Sequence, residues 1–527
     1  MRPRGGRAAT VTFRRMSGII PVMAGKPFIP SWSELRPLAA ELWLVATIVV
    51  GLLAPFRGGR SNLLSGLIAL GGLAAALCAV LLGADAPGSA LLRGMLTVDR
   101  FAVAWKVIVL VFAAGVVLMW FVTTSATMRP GDGPEFFTLL IGATLGMCLM
   151  GSTSNLLMVF MTMELASLPS YALAGFRKTD RLGSEAALKY VLFGAAASAT
   201  MLFGMSLLYG LFGSLQLEEI ARNAGKAAGS VPFIVGLGAV VAGVGFKISA
   251  VPLHFWCPDV FEGASIEVSA FLSVASKGAG LVLFSRILAA FAGAGEAGSA
   301  PAAALALVAG ILGAVTATVG NTGAFVQNNI KRLLAYSSIA HAGYMLCIMA
   351  VMSAGGRTQT AAQALLVYLA VYLVMNLGAF LVAGLVYRHA GSENIEDYAG
   401  LGWRSPILAA CMAAFMFSLI GLPPLAGFAA KMNVLYVLGQ AGGWAWALAA
   451  VVVINTVFSA YYYARVLRAM YLIKADDRPA LRVGVLGTGL SVACAGALVL
   501  MLAAFGPLLK ATARHGQLGG APVGVVR

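Results

Sequence analysis

Five charged residues fall inside stretches that are otherwise apolar: Glu164, Lys189, Lys247, Lys277 and Lys431. An ionisable group at the centre of a membrane helix costs about 2.5–3.5 kcal/mol on translocon scales, so it is a functional candidate by default. One glutamate and several lysines in such places can transfer protons. A lysine taken out of water gives up its proton more readily, from an ordinary pKa of ~10.4 toward neutrality, and a nearby carboxylate reverses that preference. At an effective dielectric of 20, charges ~7 Å apart interact by ~2–3 kcal/mol, enough to change occupancy by tens-fold. A row of such groups can pass an electrostatic push sideways while each proton moves across. His254 and His341 are weaker candidates, because imidazole titrates near neutrality. A lone histidine is more often a hydrogen-bonded core residue, and that reading stands beside the other for both. His341 has polar company on one helix, in Tyr336-Ser-Ser-Ile-Ala-His.

No other chemistry is visible. Cys78, Cys148, Cys257, Cys347, Cys411 and Cys494 lie far apart and no C-x-x-C occurs, so neither an iron–sulfur nor a zinc site is expected. There is no dinucleotide-binding glycine fingerprint and no phosphate loop. Composition agrees. Of 527 residues 60% are hydrophobic and only 11% charged, with 36 Lys+Arg against 20 Asp+Glu for a net +16. A soluble enzyme, a disordered chain, a disulfide-stapled domain and a nucleic-acid binder are thereby excluded. The class left is an all-α polytopic membrane protein.

The elements that must position these charges are membrane helices of about 20 residues. Fourteen candidates lie near 37–55, 62–84, 101–124, 136–152, 154–175, 186–212, 231–256, 264–291, 301–325, 331–353, 361–387, 406–437, 443–472 and 483–508. No run of short alternating strands suggests a β-barrel. Connections after odd-numbered helices carry Arg57, Arg60, Arg129, Arg177, Lys178, Arg181, Lys331, Arg332, Arg388, Arg404, Lys474, Arg478 and Arg482. Those after even-numbered helices carry Arg93, Arg100, Arg222, Lys226 and Arg357. The odd side is therefore expected in the cytoplasm and both termini outside. The first 30 residues oppose this with Arg2, Arg4, Arg7, Arg14, Arg15 and Lys26 and no acid. They read as a retained or targeting segment, or as a start assigned too early, with Met16 or Met23 as alternatives.

Two of the candidate lysines sit beside expected breaks. Lys247 lies between Gly243-Val-Gly-Phe and Val251-Pro-Leu-His-Phe-Trp, and Lys431 follows Gly421-Leu-Pro-Pro-Leu-Ala-Gly-Phe. Interrupted helices at matching positions of two halves point to an ion site and an inverted repeat. A proline kink with a snorkelling lysine is the plainer alternative. Glu164, too short to snorkel, reads as functional or as a structural ion pair. Lys277, among serines in Ser273-Val-Ala-Ser-Lys-Gly, allows the same two readings. Lys189, near the start of its span, reads also as a snorkelling interface residue; Lys106 and Arg286 read as snorkelling. Asp259 and Glu262 look like an acidic cytoplasmic mouth or a solvated loop.

At these residues the chain resembles the antiporter-like proton-pumping subunits of respiratory complex I. The segments are Glu164-Leu-Ala-Ser-Leu-Pro-Ser-Tyr, Ser184-Glu-Ala-Ala-Leu-Lys-Tyr, Gly245-Phe-Lys-Ile-Ser-Ala-Val-Pro-Leu-His-Phe-Trp-Cys-Pro-Asp-Val-Phe-Glu-Gly, Asn329-Ile-Lys-Arg-Leu-Leu-Ala-Tyr-Ser-Ser-Ile-Ala-His-Ala-Gly-Tyr and Gly421-Leu-Pro-Pro-Leu-Ala-Gly-Phe-Ala-Ala-Lys. They span roughly 135–470 in order, and the Pro-Asp-Val-aromatic-Glu-Gly run looks like the subunit N branch rather than M or L. The resemblance implies two inverted five-helix repeats, with helices 1–3 at 35–130, the first repeat at 131–295, the second at 296–475, and helix 14 with a tail at 476–527; the basic extension at 1–34 is atypical of the family. It implies Glu164 and Lys247 as the charged pair of one half-channel, Lys277 as central relay, Lys431 in the outward half-channel and Lys189 as a further lysine of the path.

The resemblance also implies M- and K-type membrane neighbours in a bacterial inner membrane. Protons would be the transported species. NADH, quinone, FMN and iron–sulfur clusters would belong to partner subunits, with no cofactor in this chain. A subunit of a multi-chain sodium/proton antiporter, with no redox partner, is the alternative. A membrane scaffold whose buried charges only hold helices together is weaker. One departure bears on the path. Where the family usually continues with small or proline residues, this chain has Gly263-Ala-Ser-Ile-Glu-Val, and Glu267 could alter the cytoplasmic entry.

Overall fold

The computed structural model describes residues 31, 35–58, 61–83, 89–124, 128–177, 179–293, 299–353, 357–474, 478–481 and 483–518. The basic segment 1–30 with Met16 and Met23, and Arg60, Lys178 and Arg482, lie outside the described residues. In chain order the helices begin with α1 (Ala39–Gly58), α2 (Asn62–Leu82), α3 (Arg100–Thr123), α4 (Gly133–Met150), α5 (Leu156–Ala174) and α6 (Arg181–Phe212). A short connecting helix α7 (Leu217–Ala227) follows, then α8 (Val231–Ile248), α9 (Trp256–Gly263) and α10 (Ile266–Gly293). Apart from a single-turn helix at Leu401–Arg404, the remainder are α11 (Ala300–Ala324), α12 (Ile330–Met349), α13 (Thr358–Ala390), α14 (Pro406–Ile420), α15 (Ala426–Ala441), α16 (Ala445–Leu472), α17 (Val485–Ala503) and α18 (Phe505–Ala513).

Among the described residues, twelve helices are long and apolar enough to cross a membrane. The other two of the fourteen expected spans are α12 and the interrupted pair α14–α15. Helix α12 spends Lys331, Arg332, two serines and His341 in a 20-residue span, which lowers its apolar character. A two-stranded antiparallel hairpin, β1 (Ser89–Leu91) against β2 (Leu96–Val98), joins α2 to α3 with Leu91 opposite Leu96. Neither this hairpin nor α7 was expected from the sequence; the hairpin turns through Leu92, Arg93 and Gly94 at positive φ.

Helices α10 and α13 form the centre. The apolar window of α10 is wholly buried, and that of α13 is 89% buried, against 22% for α17. A helix apolar on all sides belongs inside a bundle, and α10 has small residues to let neighbours close in. It also contains one π-helical turn, Leu272–Ser276, immediately before Lys277. Such a turn widens the backbone spiral locally and recurs at functional sites.

One capping device occurs twice. Asn155 caps α5 by accepting from the Leu157 N–H at 2.9 Å, and Asn329 caps α12 by accepting from Lys331 N–H at 2.8 Å. Each asparagine also bridges to the segment after the next helix, Asn155 to Gln216 and Asn329 to Asn394.

Two sequence expectations fail here. Lys106 does not snorkel: it is 2% exposed and pairs with Glu41 of α1 at 2.6 Å. Arg286 does not snorkel either: it is 7% exposed, pairs with Asp99 at 2.7 Å and donates through Nε to the Gly151 carbonyl. Both partners are far away in sequence. A buried cation with a matched anion needs no route to water, whereas an unmatched one must reach the interface.

Candidate proton-transfer site

The site is built at two helix breaks with a central lysine between them. In the first, α8 ends at Ile248 because Ser249 adopts a left-handed conformation, and the chain turns through 250–255 before α9. Lys247 is the basic residue of the last α8 turn, 1% exposed, where the helix's C-terminal carbonyls favour a cation. Its ammonium donates to Ser167 Oγ of α5 at 3.0 Å. Glu164 lies one turn earlier on α5, half-buried, and accepts a hydrogen bond from Ser198 of α6. Glu164 and Lys247 form no direct ion pair. Ser167 stands next to both, and the carboxylate acts on the lysine through space. A pair held this way can respond to a passing charge without first breaking a contact.

In the second break, α14 ends at Gly421, whose φ of +88° closes the helix, and α15 restarts at Ala426. Lys431 is 5% exposed and donates to the Leu419 and Ile420 carbonyls at 3.0 and 2.8 Å. These are carbonyls at the end of α14 that the break frees from helical partners. A side chain on Gly421 would meet the Lys431 stem at 2.8 Å, and one on Gly427 would strike the Ser418 carbonyl at 1.9 Å. Glycine at both positions lets α15 lie close enough for the lysine to reach its seat. The ammonium also lies 5.0 Å from the centre of the Tyr344 ring.

Lys277 occupies the middle, 1% exposed. It donates to Ser338 Oγ of α12 at 2.6 Å and lies 3.2 Å from Cys257 Sγ and 5.5 Å from the Phe261 ring centre. His341, one turn further along α12 from Ser338, is 1% exposed, bonds Tyr368 through Nδ1 at 2.8 Å and stacks on Tyr372. It lies within the electrostatic reach of both Lys277 and Lys431. His254 sits in the first break, 7% exposed, within reach of Lys277. The fold thus brings buried Lys247, His254, Lys277, His341 and Lys431 into one series, with half-buried Glu164 at its start.

Lys189 does not join that series. It is 39% exposed and pairs with Glu185 at 2.8 Å and Asp259 at 2.7 Å. Arg332 completes this cluster, bonding Asp259 at 2.8 Å and Glu262 at 2.6 Å around a cavity of about 180 Å³. Partial burial pushes the Asp259 carboxyl up, but Lys189 and Arg332 outweigh it and hold the group below the usual carboxylate range. Asp259 and Glu262 lie on helix α9 and are the anionic side of this ion-paired cluster.

Sequence reasoning missed a second buried network. Asn321 of α11 bonds Tyr344 at 3.0 Å, Asn455 at 3.1 Å and Tyr462 at 3.0 Å, while Ser337 bonds Tyr463. Two asparagines within apolar spans were its signal, since such residues seek partners across helices. Among the described residues no group of three or more His, Cys, Asp or Glu is placed to hold a metal ion.

Comparison with known proteins gives consistent likenesses. Residues 153–459 match the family described as NADH:quinone oxidoreductase/Mrp antiporter, TM. NADH-quinone oxidoreductase subunit N 2 of Sorangium cellulosum is 42% identical over 497 residues, covering 92% of this chain and 97% of its own. In respiratory complex I from Thermus thermophilus, one chain superposes with a TM-score of 0.72 at 31% identity, covering 91% of this chain and 99% of its own. A chain of the Mrp complex from a Dietzia species superposes at 0.77 but is only 20% identical, covering 92% and 97%, a likeness of fold alone.

Proposed function

The chain belongs to the subunit N family of NADH:quinone oxidoreductases, and from that membership we propose how it moves protons. It is a multi-span, proton-translocating membrane subunit of that complex, and no redox step is assigned to its own residues. Glu164 and Lys247 form the charged pair of one half-channel, Lys277 relays, and Lys431 releases. His341 conveys the state of one lysine to the next, and His254 serves the first break. Lys189 acts at the mouth, in keeping with its exposure and its two carboxylate partners.

The observation that carries this reading is the pair of helix breaks, each with a buried lysine beside it, Lys247 on Ser167 and Lys431 on two freed carbonyls, and a third buried lysine, Lys277, between the two breaks in the chain. When a charge arrives at one lysine, its neighbour's preference for a proton falls, and the push continues along the series. The repeated asparagine caps support division into two repeats at 131–295 and 296–475. The basic odd-numbered connections support a cytoplasmic mouth, with both ends of the helix bundle on the outer side of a bacterial inner membrane. M- and K-type subunits are its neighbours, and FMN, iron–sulfur clusters, NADH and quinone belong to other subunits. The identity over nearly the whole chain favours this reading over a sodium/proton antiporter subunit.

Lys247→Ala and Glu164→Ala should each lower proton pumping coupled to NADH oxidation in the assembled complex. Normal pumping in both, with normal assembly, would sink the channel. Purification from native membranes separates pump from antiporter: a flavin and iron–sulfur assembly should co-purify.

A further inference from the structure

Glu267 lies at the second position of α10, is fully buried, and takes no part in the series above. One carboxylate oxygen accepts from the hydroxyls of both Thr123 and Thr124 at the end of α3. The other oxygen, Oε2, is buried and meets no protein donor. A buried carboxylate oxygen without a donor is rare and costly, which marks the place as one where something else binds. Lys331 reaches Glu267 only through its field, because its ammonium is already committed to Glu393 at 2.6 Å and to the Ala264 carbonyl at 2.8 Å.

Thr124 is shared between this carboxyl and the surface. It lines a vestibule of about 570 Å³ together with Arg129, Asp132, Arg177, Asp180 and Ser265. These residues belong to connections on the basic, odd-numbered side, the same side as the Lys189–Asp259–Arg332 mouth but a separate opening. Ser265 adds a buried hydroxyl with no protein partner beside the start of α10. On the inner side the polar trail continues along α10. Ser273 lies ~9 Å beyond Glu267 along the helix, at 1.5 Å per residue, and one turn before Lys277. It accepts from Asn376 Nδ2 at 2.6 Å, and Asn376 Oδ1 is a further buried oxygen without a protein donor. The π turn falls on this stretch.

We propose that Glu267 is a proton-loading carboxyl that takes protons from this vestibule and feeds them along α10 to Lys277. A proton from vestibule water bonds to Oε2 and neutralises the carboxylate. It then leaves Oε2, crosses the Ser273–Asn376 step through water, and a proton adds to the Lys277 amine to make the ammonium; no electrons move. The threonine hydroxyls hold the carboxyl in place. The proposal rests on the reading of this chain as proton-translocating.

The test uses the assembled complex in vesicles, comparing Glu267→Gln, Glu267→Asp, Thr124→Val and Lys277→Met. Glu267→Gln keeps the shape and should cut pumped protons per unit time about tenfold or more, the usual effect of losing a positioned acid–base group. It should also remove a carboxyl C=O band from turnover-induced infrared difference spectra, and Glu267→Asp should restore part of both signals. A purely structural carboxyl would leave that band unaffected. Parental pumping or an unchanged carboxyl band in assembled Glu267→Gln overturns the proposal. If Glu267→Gln fails to assemble, Thr124→Val decides: slowed pumping supports the entry, and parental pumping overturns it. Loss of pumping in Lys277→Met with parental pumping in Glu267→Gln rejects this entry alone, whereas parental pumping in both rejects the proton path itself.

Discussion

Replacing Lys431 by methionine should abolish pumping through the second half of the chain while barely changing stability. The seat can be priced from its geometry. The C-terminal end of a helix carries about half a negative charge. The Lys431 ammonium lies 2.8 and 3.0 Å from the two carbonyl oxygens that express it. With an effective dielectric of 20, that attraction is ~3 kcal/mol. The Tyr344 ring adds ~0.5–2 kcal/mol. Against this stands the cost of burying an ammonium, several kcal/mol for one ion. The attraction offsets part of that cost. Methionine fills similar volume without the charge, so the net change in stability should stay within ~2 kcal/mol. The assay is NADH-driven acidification in vesicles containing the complex, read with a pH-sensitive dye, alongside the thermal midpoint. Assembled Lys431→Met that pumps as the parent does would refute the reasoning, and so would assembly loss that Lys431→Arg fails to relieve.

Two further outcomes follow from the ion pairs. Removing one member of the buried Asp99–Arg286 pair should destabilise the subunit by ~3–5 kcal/mol, because a buried charge is left unmatched. Replacing both with apolar residues should recover most of that in a thermal-melt series, and a single variant as stable as the parent would argue against the pair. Asp259 has a depressed pKa in the fold, so its contribution to stability is present above the ordinary carboxylate value of ~3.9 and fades as pH falls through its lower folded value. The difference in Tm between the parent and Asp259→Asn should therefore hold steady from neutral pH down to about 5 and shrink only in stronger acid. A difference that vanishes near neutrality would contradict the Lys189–Asp259–Arg332 arrangement.

Much of the molecule was legible in one dimension. A span of ~20 apolar residues closes all its backbone hydrogen bonds within itself, so each helix announces itself locally. The breaks at Lys247 and Lys431 were legible for the same reason, because glycine and proline act on the residues beside them. The candidate lysines were visible as charges in apolar runs, and Lys247, Lys277 and Lys431 are all buried in the fold.

What the sequence could not supply was pairing between distant residues. Lys106 and Arg286 look like interface residues until the fold brings Glu41 and Asp99 against them. Lys189 lies in an apolar run like the other lysines, and the packing of α6 against α9 sets it, partly exposed, beside Asp259. Glu267 stood out as an unusual residue, but only the approach of α3 gave it two threonine donors and a vestibule beyond them. The Asn321–Asn455–Tyr462 network and the π turn of α10 likewise depend on which helices meet. The sequence by itself determined where helices form, where they break and which of them carry charge, since these are effects of neighbours in the chain. Tertiary structure alone decided which charges are matched, which face water and which are buried, because a buried charge takes its character from groups that only folding brings near.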